Sequence, residues 1–474
     1  MLNTASKEPK GMFGGEQLLG LELKPNECSD KPRKASDLSL LDLSSPVSEG
    51  ERIAKSLQYL YELKQQFRSL VLYLDLCTKC GACIEACHWY LGTKDSNNIP
   101  AVRADLLRRI YRRYFTLGGK IFRSTSGADD LTDELIEKWF KYFYQCNECR
   151  RCAYVCPFGI DTAEITIAAR QILTKLGLVP EGVMAVAKNM QQFGNNMGIP
   201  PRAVKDIVAF MEKELKEKTG KNIEIPIDRE GAEVLHNPSS SEFFVTLDTL
   251  EGTAIMFHAA GTSWTISSEI IETANFGLFF NYETMKQHNN RLFENARRLR
   301  SKRIVAGECG HGWRTWKMFT SQLSDAKDIP IVHLMDECLK YVKEGRIKFD
   351  KTVNSKTVTL HDPCNMARAT GYIEQPRHLL KNLIDEKLFT EMYPNRERNF
   401  CCTGGSGQVT MDELTQLKAK AGLVKAQQVK ATGAKWLIAP CAICKAELPR
   451  IMTHYGLDVE VHGLQDLVGY ATII

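Results

Sequence analysis

The chemistry of this chain is written in its 16 cysteines, most of which fall into two patterns. Cys77, Cys80, Cys83 and Cys87 form a Cys-x2-Cys-x2-Cys-x3-Cys run, and Cys146, Cys149, Cys152 and Cys156 repeat it, with Pro157 next. Three thiolates in one tight loop can grip three irons of a 4Fe–4S cube, and the fourth cysteine of each run reaches across to the other cube. That rule gives one cubane cluster Cys77, Cys80, Cys83 and Cys156, and the other Cys146, Cys149, Cys152 and Cys87. Thiolates are soft donors that suit iron. Zinc, the competing metal, takes four ligands and needs no triply spaced run with a fourth cysteine beyond it.

The second pattern is looser: Cys364, then the adjacent pair Cys401-Cys402, then Cys441-x2-Cys444. Five thiols from three loops can converge where strand ends meet. Neighbouring cysteines make a poor disulfide but can bind different irons of one irregular cluster, and five exceeds zinc's four. Free thiols this close would oxidise. Thr403-Gly404-Gly405 is expected to turn the chain sharply through glycine's tolerance of positive φ, and Pro440 to stiffen the last loop. Cys28 is expected to be an inert free thiol and Cys338 a core residue on a helix.

The elements that must position these thiols are legible from periodicity. At 474 residues the chain holds several domains. Its 43% hydrophobic and 25% charged residues are those of a globular protein. A net charge of +5 excludes a bulk polycation, so no nucleic-acid partner is expected. No apolar run reaches the ~20 residues of a membrane span, and no leader pattern opens the chain, which predicts a cytoplasmic protein. Residues 1–50 read as a flexible segment and 51–241 as a helical di-cluster ferredoxin domain, with a helix over 52–73 feeding the first cysteine run. The stretch from His88 to Gln145 exceeds a ferredoxin connection and implies an inserted helical hairpin. In it, Arg108, Arg109, Arg112 and Arg113 are either a solvated face or a docking surface for an acidic partner or lipid headgroups.

From residue 242 short β-branched runs alternate with helices, the mark of an α/β arrangement. Three anchors repeat in order. Ile255–Gly261 resembles Val358–Cys364, Ile304–Cys309 resembles Leu437–Cys441, and Val332-His333 resembles Val461-His462. Two related lobes, 242–350 and 351–474, are therefore expected. In the first, Gly261 stands in place of Cys364, Asn275-Phe276-Gly277 lies near the place of the cysteine pair, and Cys309 alone survives. That lobe reads as a non-binding copy walling the site, with His311, Trp313, Arg314 and Trp316 either facing the cleft or packing.

The five-cysteine pattern resembles the CCG domain of heterodisulfide reductases. A double 4Fe–4S module followed by two CCG lobes resembles HdrD, one component of those enzymes, over about residues 50–474. Cys149-Arg150-Arg151-Cys152, Gly307-Glu308-Cys309-Gly310-His311 and His361-Asp362-Pro363-Cys364-Asn365 resemble the DsrK branch of that family, as do the stretches Asn98–Arg108 and Gly159–Ile165. The resemblance implies an α+β / α/β fold with a helical double-ferredoxin module and two duplicated α/β lobes. It implies two cubane 4Fe–4S clusters and one noncubane 4Fe–4S cluster on Cys364, Cys401, Cys402, Cys441 and Cys444. It also implies disulfide or trisulfide reduction in sulfur metabolism and sulfate respiration. The expected partners are a quinol-oxidising membrane cytochrome b subunit, other subunits of a respiratory complex and a DsrC-like cysteine-armed carrier, with membrane attachment through a partner. Two alternatives share the layout: a non-catalytic electron conduit of a cytochrome c-linked complex, and the iron–sulfur subunit of an α-hydroxyacid oxidase.

Overall fold

The computed structural model describes residues 29–272, 279–320 and 328–474. Cys28 and Asn275-Phe276-Gly277 lie outside the described residues. The first part is helical. Glu49–Gln66 and Arg68–Asp75, broken at Phe67, replace the single helix expected over 52–73. The long connection between the cysteine runs carries Pro100–Phe115, Leu117–Phe122 and Asp133–Tyr144, followed beyond the second run by Thr162–Lys175. These helices bury Leu107, Trp139, Phe143, Ile165 and Ile172 in one core.

Part of the segment expected to be flexible joins that core. Ala35, Leu38 and Val47 are buried, and the Ala35 amide donates to the Val179 carbonyl at 2.8 Å. Sparse apolar residues in a polar stretch suffice when each finds a pocket, which composition alone does not reveal.

Two parallel sheets follow, with strands β1 (Val234–Asn237), β2 (Trp264–Thr265), β3 (Arg303–Ala306), β4 (Ile331–His333), β5 (Val358–Leu360), β6 (Trp436–Ile438) and β7 (Glu460–His462). Their orders are β2-β1-β3-β4 and β5-β6-β7. The duplication holds, but its first anchor moves. Ile255–Ala259 belongs to the helix Asp248–Ala259, which is buried almost all round, so its apolar run mimics a strand. The true counterpart of β5 is β1. Val234-Leu235-His236-Asn237-Pro238-Ser239 stands against Thr359-Leu360-His361-Asp362-Pro363-Cys364, so Ser239, not Gly261, replaces Cys364.

Two boundaries shift accordingly. The first sheet starts before residue 242, and Val204, Val208, Met211 and Leu215 of helix Pro201–Thr219 share its core rather than the ferredoxin core. A helix's apolar stripe says that it is covered, not by what.

The lobes pack reciprocally. Asp248–Ala259 of the first lies on Leu464–Ala471 of the second, and Glu374–Leu383 of the second on Leu334–Lys343 of the first. The same exchange pairs Ser240–Phe244 with Ala442–His454, and Gly310–Arg314 with Cys364–Thr370. This last contact brings first-lobe residues to the second lobe's cysteines. Cys338 is fully buried on its helix, as expected.

Candidate metal centres

The two ferredoxin-like runs form two separate sites. One cavity of about 310 Å³ is lined by Cys77, Cys80, Cys83 and Cys156, and another of about 320 Å³ by Cys87, Cys146, Cys149 and Cys152. The fourth cysteine of each run has crossed to the other site, the partition the spacing predicts. The loops fold alike: Lys79 and Gly81 in the first and Glu148 and Arg150 in the second all take positive φ, at matching positions between the cysteines. Left-handed residues at these points curl the chain so that successive sulfurs and amides face inward. Cys80 is exposed, whereas the second site lies deeper, with Cys87 and Cys146 buried.

Buried Arg103 stands beside that inner site. Burial opposes its charge, but the thiolates of Cys146, Cys87 and Cys152 outweigh that effect and raise its pKa.

The five cysteines of the second lobe converge. Cys364 opens the helix Cys364–Thr370 after Pro363, and Cys441 caps Ala442–His454, whose first turn carries Cys444. Cys401 and Cys402 come from the loop between, and the Cys402 and Cys444 sulfurs are 3.2 Å apart. All five are buried, Cys364 least so at 6% exposure. A ring nitrogen of His361 and the sulfurs of Cys402 and Cys444 lie within 4.8 Å of one another. Hydrogen bonds from Cys401 and Cys444 hold Cys402 well below the ordinary thiol pKa, and His361 adds to this against burial. Lys425 is buried close by, donating to Asn399 Oδ1 at 2.6 Å, and burial lowers its pKa to about 7 against the pull of Asp362, Cys402 and Cys401. Convergent sulfurs, neighbouring cationic and imidazole groups and the exclusion of water fit an iron–sulfur cluster at each of the three sites.

The inner site abuts the five-thiol site. The sulfurs of Cys149 and Cys401 and a ring nitrogen of His88 lie within 4.8 Å of one another, and Cys149 and Cys401 are hydrogen-bonded. Asn147 ties this junction. Its Oδ1 accepts from Trp89 Nε1 and lies 2.8 Å from His88 Nε2, and its Nδ2 donates to the carbonyls of Thr403 (2.6 Å) and Gly405 (3.0 Å).

Gly404 and Gly405 serve close approach rather than a left-handed turn. The positive φ values fall on Thr403, Ser406 and Gly407. A Cβ on Gly404 would stand 2.9 Å from Glu447 Cβ, and one on Gly405 would stand 3.2 Å from the Asn147 carbonyl.

The first lobe supplies a wall. The Gly310 amide points at Cys441 Sγ (3.4 Å), and His311 Nε2 accepts from the Ser406 amide (3.0 Å). Trp313 and Trp316 are buried in the core, while Arg314 donates to Asn365 Oδ1 (3.4 Å) beside Cys364. Beneath the junction, Glu148 forms a fully buried ion cluster with Arg170 (3.2 Å) and Arg314 (3.7 Å).

Of the four arginines considered as a docking surface, Arg108 drops out: it is buried and donates to the Leu74 carbonyl and to Asp105. Arg109 and Arg113 pair with Asp129 and Asp130. The pattern reading missed Asn147, Glu148, Arg170 and Lys425. The first two sit between cysteines of the second run, a position that could have flagged them. Arg170 and Lys425 lie on distant helices and carry no local signal.

Comparison with known proteins agrees with this architecture. The 4Fe-4S dicluster domain family matches residues 73–160, and the cysteine-rich CCG domain family matches residues 358–449. The chain is 31% identical over 461 residues to the Hdr-like menaquinol oxidoreductase iron-sulfur subunit 2 of Archaeoglobus fulgidus, covering 88% of this chain and 83% of that protein. It is 32% identical over 456 residues to the Hdr-like menaquinol oxidoreductase iron-sulfur subunit of Archaeoglobus profundus, covering 87% and 82%.

The chain belongs to the HdrD family of heterodisulfide reductases. The D-type component of the dihydromethanophenazine:CoB--CoM heterodisulfide reductase of Methanosarcina barkeri is 26% identical over 405 residues, covering 85% of this chain and 94% of that one. As a member of the HdrD family this chain is an iron–sulfur oxidoreductase of electron transport carrying 4Fe–4S clusters. No helix among the described residues is long and apolar enough to cross a membrane.

Proposed function

We propose that this chain is the disulfide-reducing subunit of a quinol-oxidising membrane complex. In this reading a membrane cytochrome b partner takes electrons from menaquinol on the cytoplasmic side. Two cubane 4Fe–4S clusters, one on Cys77, Cys80, Cys83 and Cys156 and one on Cys87, Cys146, Cys149 and Cys152, supply one-electron transfer, and a noncubane 4Fe–4S cluster on Cys364, Cys401, Cys402, Cys441 and Cys444 supplies an iron that binds substrate sulfur. The substrate is the disulfide or trisulfide of a DsrC-like carrier protein, or a small-molecule disulfide. Each turnover converts RSSR, two electrons and two protons into two RSH.

The observation that carries this reading is the contact of Cys149 with Cys401. An electron at the inner site has one sulfur–sulfur contact to cross, and it arrives at a set of five thiols that mere conduction would not need. The chain's own groups complete the site. Asn399 Nδ2, 3.3 Å from His361 Nδ1, donates there and leaves the ring proton on Nε2. The buried Lys425 offsets thiolate charge. Cys364, the least buried of the five, marks the side from which a disulfide approaches.

The test is to treat the purified protein with an oxidised carrier or persulfide and record EPR spectra. A substrate-dependent S = ½ signal lost in Cys402→Ser and kept in Cys83→Ser supports the reading. Spectra unperturbed by every disulfide tried favour the conduit, and reduction by an α-hydroxyacid through a flavin subunit favours the oxidase alternative. Iron analysis should give about twelve atoms per chain; about eight removes the third cluster.

A further inference from the structure

The helix Leu117–Phe122 turns its apolar residues outward. Leu117, Ile121 and Phe122 are 77%, 61% and 62% exposed, although any one of them would ordinarily be drawn into a core. They share a face at helical spacing, and the helix is held in that attitude from behind. Gly119 lies so close to the Arg112 carbonyl that a Cβ would stand 1.9 Å from its oxygen, and the Thr116 hydroxyl accepts from the Gly119 amide at 3.1 Å. Nearby, Tyr61 is 51% exposed against Phe115, with Lys64 over both rings.

The rim of this tip is basic. Lys120 and Arg123 are exposed beside the apolar residues, and no acidic residue occurs from Leu106 to Ala128, where Arg108, Arg109, Arg112 and Arg113 also stand. Asp129 and Asp130, the next carboxylates, are engaged by Arg109 and Arg113, which leaves Lys120 and Arg123 as the uncompensated cations of the tip.

We propose that this tip seats the protein directly on an anionic lipid surface. Leu117, Ile121 and Phe122 enter the boundary between headgroups and acyl chains, and Lys120 and Arg123 meet lipid phosphates. An apolar wedge ringed by cations is the arrangement that binds anionic bilayers without crossing them. The surface of a membrane subunit could accept the wedge but would not by itself call for a rim of one sign. The inference stands apart from the catalytic reading, because it concerns only where the chain lies.

The experiment is co-sedimentation of the intact reconstituted protein with vesicles of phosphatidylcholine alone or with phosphatidylglycerol. The wild type is expected to bind the phosphatidylglycerol vesicles and to be released by high salt. L117E/I121E/F122E should lose at least tenfold in partitioning. K120Q/R123Q should lose the preference for phosphatidylglycerol. Unchanged visible absorption of the clusters certifies that each surface variant is folded. Wild-type protein that ignores the vesicles, or a triple variant that partitions like it, overturns the proposal. So does loss of a co-purifying membrane subunit in the triple variant without vesicle binding by the wild type, which would make the tip a protein contact.

Discussion

Replacing Arg170 by Met should be among the most damaging single changes that touch no cysteine. Its guanidinium is fully buried and donates to the carbonyls of Phe143 (3.0 Å), Cys146 (2.9 Å), Phe279 (3.1 Å) and Ser406 (3.1 Å) and to the Ser406 hydroxyl (2.6 Å). It also pairs with Glu148 at 3.2 Å and covers the Tyr144 ring at 4.5 Å. One residue thus ties the inner-site loop to the loop after Cys402. Removing one partner of a buried ion pair costs about 3–5 kcal/mol, because the other charge stays buried. Met keeps most of the volume, so about 4 kcal/mol is expected, since hydrogen-bond losses within one network do not add. At roughly 2–4 °C per kcal/mol for a unit of this size, the melting temperature should fall by about 8–16 °C.

The pH dependence has a definite sign. Burial raises the Glu148 pKa, and Arg170 and Arg314 pull it back. Without Arg170 the folded value rises further above the unfolded one. The native state then holds a proton that the unfolded state releases, so stability falls as pH rises above the unfolded value near 4.5. The defect should therefore grow from pH 5 to pH 8. Adding Glu148→Gln should recover about 1–2 kcal/mol and abolish that growth. Differential scanning calorimetry of the holoprotein series reads both. A single-variant shift below about 2 °C, or a defect indifferent to pH and to Glu148→Gln, would refute the reasoning.

Gly404→Ala places a methyl 2.9 Å from Glu447 Cβ and 3.1 Å from Ile443 Cγ2, so it should cost about 1–3 kcal/mol and loosen the five-thiol site, read as iron lost on gel filtration. Lys425→Met removes a buried cation beside Cys402 and Cys401 and should lower the midpoint potential of the five-thiol centre in an EPR-monitored titration; an equal or higher potential contradicts its role. Acid should weaken the first lobe. Burial lowers His236 and His288 to about 4 and His311 and His333 to about 3, so below pH 6.5 the unfolded state binds protons that the native state refuses. Glu242, raised to about 7, and Glu308, raised by burial, oppose this. The balance of four histidines against two carboxyls leaves a loss of a few kcal/mol, about 1.2 per uncompensated histidine, between pH 7 and 5.5. Hydrogen exchange of β1 and β3 that is indifferent to pH would contradict it.

The chain's own sequence determined the ligands and their partition. Iron–sulfur chemistry demands thiolates at short fixed separations, and short separations survive in a linear text. The crossing of Cys87 and Cys156 could be read before any fold was known. So could the second and third anchors of the duplication, because a buried parallel strand is a short β-branched run. Tertiary structure alone decided the rest. The helix Asp248–Ala259 passed for a strand because it is covered on all sides, and helix Pro201–Thr219 joined a core that its own stripe could not name. The Cys149–Cys401 junction joins residues far apart along the chain. Asn147, Arg170 and Lys425 act only through acceptors on other elements. A ligand set is a property of spacing, whereas an electron's path and a buried charge's partner are properties of distance, which only packing supplies.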